Sequence, residues 1–218
     1  MERRRLLTVG DSFTYGEELA FREKDAYPFL LQFDEVVNLG KRGGSSDYVF
    51  RTVIETLISD DKGFDLVLVS WPEQSRMEQC NYPFNTPTNH MPRLPNEPHP
   101  PEPKWIQEYY KHSYSDRWGF RKQYNQIVAL QGFLQAREQK YCMYNVAGLQ
   151  EHYDQFKEVL FDHYNAIDEQ YFIGWPYDGI LEWQGDCAKG PDGHPLELGH
   201  RRIAKVIDEH IRNIGWFS

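Results

Sequence analysis

The stretch "RLLTVGDSFTYGEEL", residues 5–19, holds an apolar run that stops abruptly at Gly10-Asp11-Ser12. Leu6, Leu7 and Val9 read as a short buried strand bounded by Gly10. Beyond the glycine the pattern becomes helix-compatible, with Phe13, Leu19 and Phe21 beside the acidic Glu17 and Glu18. A serine at the tip of a strand-to-helix turn is exposed and lies near unpaired amides. Such amides stabilise a developing negative charge, so the position suits a nucleophile. Asp and Ser are also preferred helix N-caps, however, and the tripeptide alone fits a capped turn better than a catalytic one.

Further apolar runs follow at "EVVNLG" (35–40), "GFDLVLVSW" (63–71) and "KYCMYNVAG" (140–148). Between the second and third lies "SDYVFRTVIETLISDD" (46–61), where Val49, Val53, Ile54, Leu57 and Ile58 recur at helical spacing. A long helix is predicted over about residues 116–139, carrying Ile127, Leu130 and Leu134. Near-continuous apolar strands alternating with helices indicate a parallel sheet covered on both faces. Sites in such sheets lie beyond the carboxyl ends of the strands. Ser12, residues 40–46 and residues 71–76 all follow strand ends, and are expected on one rim.

The chain of 218 residues is most simply one domain, 1–218, large enough for a substantial core. Its 24 basic and 33 acidic residues give a net charge of −9, which disfavours nucleic acid or an anionic membrane as partner. No apolar run approaches the roughly 20 residues that span a bilayer. The arginines of "ERRR" (2–5) are followed only by "LLTVG", so no secretory signal is expected. The three cysteines Cys80, Cys142 and Cys187 are too few and too scattered for a disulfide framework or a zinc site, and neither metal nor cofactor is expected. Mean hydropathy is low, at −0.72, yet 15% of residues are aromatic, so Phe, Tyr and Trp should build much of the core. Residues 81–103 hold eight prolines in 23 positions and are expected to form neither helix nor regular strand. Leaving the sheet rim and carrying Tyr82, Phe84, His90 and Met91, this insertion is expected to pack near the site as an ordered loop, the alternative being a flexible linker.

Near the C-terminus, "GPDGHPLELGHRRIAKVIDEHI" (190–211) joins a glycine- and proline-bounded loop to an amphipathic helix with Ile203, Val206, Ile207 and Ile211 on one stripe. The loop places Asp192 close to His194. Histidine beside aspartate is what a serine nucleophile requires: the imidazole takes the hydroxyl proton and the carboxylate orients the ring. His200, on the helix itself, reads as structural.

Taken in order, "VGDSFTYG", "NLGKRGG" and "DGHPLELGHRRIA" resemble the SGNH (GDSL-like) hydrolase superfamily, and the three blocks span essentially the whole chain. The resemblance implies a flavodoxin-like three-layer α/β/α sandwich around a central parallel sheet. It implies Ser12 as nucleophile, His194 as base and Asp192 as the third member, although the family's aspartate stands three residues before the histidine and here it stands two. Asp186 is the reserve. Gly43 matches the glycine whose N–H joins that of Ser12 in an oxyanion hole. One block departs from the family. Where Gly-x-Asn-Asp is usual, this chain reads "SWPEQSR" (70–76), with Pro72 at the asparagine position. Gln74, Ser75 and Arg76 are candidate replacements; Arg76 also suits an anionic substrate group, and Trp71 either lines the site or packs beneath the loop.

The resemblance thus implies a serine esterase acting on a small acyl ester, for example an O-acetyl group on a glycan, or an acyltransferase with the same machinery. The missing asparagine keeps a second class open, a non-catalytic SGNH-like binding or structural module in a larger assembly. A cytoplasmic protein, or a phage-encoded one carried on a virion, would fit these expectations.

Overall fold

The computed structural model describes residues 3–81, 86–90, 103–148, 162 and 165–216. Four parallel strands form the central sheet: β1 (Arg5–Gly10), β2 (Glu35–Gly40), β3 (Leu66–Trp71) and β6 (Tyr141–Asn145), in the order β2-β1-β3-β6. Each expected strand is present at or just inside its apolar run. The chain moves from β1 to β2 on one side and then to β3 on the other. The direction of strand addition therefore reverses beside β1, and a crevice opens there at the carboxyl ends.

Side chains alternate across the sheet, and both faces are covered. Leu7, Val9, Val67, Val69, Tyr141 and Met143 face α3 (Ser46–Ser59) and α5 (Asp116–Ala136), packing on Val49, Val53, Phe120, Ile127 and Leu130. Leu6, Leu66, Leu68, Cys142 and Tyr144 face the opposite layer, where the C-terminal helix (Glu197–Asn213) supplies Ile203, Ala204, Ile207 and Ile211. The result is the parallel sheet covered on both faces that the alternation of apolar runs indicated, and the three-layer α/β/α sandwich that the resemblance implied. Helix starts follow local chemistry: Ser45 Oγ accepts from Tyr48 N (3.2 Å) and Ser115 Oγ from Trp118 N (3.3 Å), satisfying amides that have no partner within the helix. Trp71, Tyr27, Tyr144 and Phe120 are the largest fully buried side chains among the described residues, so aromatics do supply much of the core.

The proline-rich stretch is in part more regular than its composition suggests. Thr86–His90 forms β5 and pairs antiparallel with β4 (Met77–Asn81), with Pro87 opposite Cys80. In a ribbon of only two strands each has an unpaired edge, and proline is tolerated there because its missing N–H breaks no ladder. Arg51 of α3 anchors β4 through a forked pair to Glu78 (2.8 and 2.9 Å). The Tyr110 hydroxyl, on α4 (Lys104–His112), donates to Ser75 O at 2.9 Å. Tyr82, Phe84 and Met91, with positions 82–85 and 91–102 generally, lie outside the described residues, and so does most of the expected loop. Among the described residues no helix is long and apolar enough to cross a membrane.

His200 is structural, as its position on the helix suggested. It is fully buried, its Nδ1 accepts from Tyr27 N (3.2 Å), and its ring stacks on Tyr27 at 5.9 Å. Burial pushes its pKa down to about 4, from an ordinary 6.5. The unfolded chain therefore takes up this proton below pH 6.5 while the folded chain resists it until about pH 4. Stability should fall as pH is lowered through that window, by up to about 3 kcal/mol from this residue alone. Thermal melts of wild type and His200→Gln between pH 7 and pH 4 should show the variant less stable at pH 7, and the difference shrinking as pH falls.

Candidate active site

β1 delivers Ser12 to the carboxyl edge of the sheet. Ser12 opens a single helical turn, α1 (Ser12–Tyr15), whose N-cap is Asp11: its carboxylate accepts from Phe13 N at 3.0 Å. Asp11 caps the turn, so Ser12 is left for another partner. That partner is His194, whose Nε2 lies 2.8 Å from Ser12 Oγ. The two residues stand 182 positions apart in sequence. The imidazole also packs on Phe13, ring centroids 5.0 Å apart, which fixes its tilt.

The carboxylate behind the histidine is Glu18. Its Oε2 lies 3.2 Å from His194 Nδ1 and accepts from His194 N at 3.0 Å, while Oε1 accepts from Asp192 N at 2.9 Å. Burial works to raise the Glu18 pKa, but these backbone and ring donors outweigh it and hold the carboxyl below its ordinary value. An ionised carboxylate only accepts, so Nδ1 carries the proton and Nε2 is the acceptor for the serine hydroxyl. Glu18 adopts a left-handed backbone (φ 66°), uncommon for a residue with a side chain and of the kind that concentrates at functional sites. Gly190 makes room for it: a Cβ there would sit 2.3 Å from Glu18 Oε1.

Asp192, expected as the orienting acid, contributes its amide instead. The turn closed by Gly190 N to His194 O (2.9 Å) and Gly193 N to Gly190 O (3.0 Å) wraps the backbone around the Glu18 carboxylate. The reserve, Asp186, is far more exposed and bonds Arg202 at 3.0 Å. No spacing rule relates Glu18 to His194. The only sequence signal was an acidic pair a turn beyond the serine, which reads as ordinary helix-start charge.

On the other side of Ser12, Lys41 N donates to Gly10 O (3.0 Å) and Gly44 N to Lys41 O (2.9 Å), which draws the 41–44 loop against the end of β1. Gly43 adopts φ 64°, a conformation that suits glycine. Neither Ser12 N–H nor Gly43 N–H has a hydrogen-bond acceptor among the described residues. Trp71 is fully buried and belongs to the core under α3 and α5, yet its edge also borders a cavity of about 570 Å³. Phe13, Gln74, Arg76 and Asn145 border the same cavity. Arg76 Nη1 donates to Asp11 Oδ2 (2.9 Å) and to Gly44 O (3.3 Å). Asp11 is completely buried; burial pushes its carboxyl up, and the adjacent guanidinium opposes that shift.

No protein-family model matches the sequence, and no curated protein matches it either. Solved structures do. A lipolytic protein of the G-D-S-L family from Desulfitobacterium hafniense DCB-2 superposes with a TM-score of 0.52 at 12% identity, over 94% of this chain and 98% of that one. The chain has the SGNH hydrolase fold. A catalytic variant of Axe2, an acetylxylan esterase from Geobacillus stearothermophilus, aligns at TM-score 0.51 and 15% identity over 98% and 95% of the two chains. A two-domain esterase active on acetylated mannans aligns at TM-score 0.55 and 13% identity, over 99% of this chain and 50% of its own length.

The Glu18 contact has a spectroscopic signature. The proton on His194 Nδ1 should appear as a protected, downfield resonance in NMR spectra of the wild-type protein. It should be lost in Glu18→Ala and in Gly190→Ala, and should persist in Asp192→Ala.

Proposed function

We propose that this chain is a serine-dependent carboxylic-ester hydrolase that removes small acyl groups, with O-acetyl groups on a glycan as the substrate class. The observation that carries the proposal is the 2.8 Å approach of Ser12 Oγ to His194 Nε2, with Glu18 behind the ring. A serine hydroxyl is a weak nucleophile until a base accepts its proton, and this geometry supplies the base within hydrogen-bond reach.

In the proposed reaction Ser12 Oγ attacks the ester carbonyl while its proton passes to His194 Nε2. The carbonyl electron pair moves to oxygen, which faces the unpaired N–H groups of Ser12 and Gly43. Glu18 stabilises the imidazolium as it forms and keeps it in the productive tautomer. The intermediate collapses, the alcohol leaves with the histidine's proton, and water repeats the sequence on the acyl-serine. An acceptor sugar in place of water would make the same site an acyltransferase. The glycan assignment draws support from the cavity of about 570 Å³ bordered by Phe13, the residue after Ser12, and from the activities of Axe2 and the acetylmannan esterase.

The second class, a binding module without catalysis, is favoured by one observation: Pro72 stands where the fold's usual asparagine donor would be. The two differ in kinetics. Hydrolysis of a short-chain aryl ester should fall to background in Ser12→Ala and nearly so in His194→Ala, since the pair acts as a unit. Glu18→Gln should lose about 100-fold or more, and Asp192→Ala no more than a few-fold. Rates in Ser12→Ala equal to wild type on acetyl, butyryl and acetylated-sugar esters would leave the binding module as the better account.

A further inference from the structure

The fold's usual third oxyanion donor is absent here, because Pro72 offers neither a side-chain nor a backbone N–H. We propose that Arg76 takes its place, presenting a guanidinium edge to the carbonyl oxygen of the substrate. This deepens the esterase reading and rests on it. The argument is positional. The two acceptors of Nη1 are Asp11 Oδ2 and Gly44 O, one from the residue before Ser12 and one from the residue after Gly43. Arg76 is thereby tied to both loops that carry the backbone oxyanion donors. The guanidinium is held at the seam between them, with only 14% of the side chain exposed.

Nη2 is what the guanidinium has left for a ligand. Nη2 makes no hydrogen bond among the described residues, Nε is buried without a partner, and the residue borders the 570 Å³ cavity beside Phe13. Gln74 borders the same cavity but has no hydrogen bond to either loop, so nothing directs its amide toward the serine. Asp11 explains how a cation is accommodated here: its buried carboxylate balances the guanidinium and fixes its plane. Proton and electron movements are those of the acyl transfer above. Arg76 stays protonated throughout and contributes charge and two N–H donors as the oxyanion forms.

Two measurements separate this role from its rivals. In a Ser12→Ala background, methylphosphonate, a tetrahedral oxyanion, should bind non-covalently, and adding Arg76→Gln should weaken binding at least about tenfold. On active protein, Arg76→Gln should lower kcat by about 100- to 1,000-fold on neutral acetyl and anionic succinyl aryl esters alike, with KM nearly unchanged. Arg76→Gln also strands the Asp11 carboxylate, so thermal melts of the Asp11→Asn/Arg76→Gln double variant provide the folding control. That variant should regain stability and remain slow. Equal methylphosphonate affinity with and without Arg76 would overturn the proposal, as would a loss confined to the succinyl ester or recovery of turnover in the double variant. If wild type hydrolyses neither ester, the esterase reading falls by itself, and the methylphosphonate comparison still decides whether Arg76 holds an oxyanion.

Discussion

The carboxylate of Glu18 ties the first loop of the chain to the last. It gathers the amides of Asp192 and His194 and the ring nitrogen of His194 around one group, across more than 170 residues of sequence. Without that attachment the 190–194 turn would be held only by its own backbone hydrogen bonds and the pairing of the flanking residues, Leu196 N to Ala188 O among them. With it, the imidazole has one tautomer and one orientation, and the Ser12 contact follows. The cost is local: a non-glycine residue in a left-handed conformation, and a position at Gly190 that admits no side chain.

The sheet does the rest of the positioning. β1 lies inside the sheet, between β2 and β3, so the loops leaving it, β2 and β3 converge on one crevice. Gly10 ends β1 where Ser12 is needed, the 41–44 loop folds over the same strand end, and the loop after β3 brings Arg76 against Asp11. The side chains of the candidate site thus sit on loops anchored to a core buried on both faces. The pair formed by the fully buried Asp11 and the partly exposed Arg76 is the electrostatic counterpart of that arrangement. Removing one partner alone leaves an uncompensated charge, so nucleophile loop and Arg76 loop depend on each other.

Much of this was legible in the sequence, for identifiable reasons. The strands were visible because a two-sided core demands near-continuous apolar runs, and α3, α5 and the C-terminal helix because their apolar stripes repeat at helical spacing. Ser12 and His194 could be paired because "VGDSFTYG" and "DGHPLELGHRRIA" carry the resemblance to the SGNH hydrolases, which implies those roles. Glu18 was not legible: its role comes from the path of a distant loop, and Asp192 looked better by proximity alone. The strand at Thr86–His90 was hidden for a related reason. Its one proline, Pro87, is incompatible with a central strand but not with the edge of a two-stranded ribbon. Arg76 was legible as a candidate, while its attachment to Asp11 required the fold.

The central claim is that Ser12 is a nucleophile activated by His194 under the control of Glu18. Intact-protein mass spectrometry after brief exposure to a fluorophosphonate measures this directly, as the rate at which one adduct forms. The account predicts a single adduct on wild type, located at Ser12, formed at a similar rate by Asp192→Asn and about 100-fold or more slowly by Glu18→Gln. No adduct on wild type, or slowing by Asp192→Asn with none by Glu18→Gln, would contradict it.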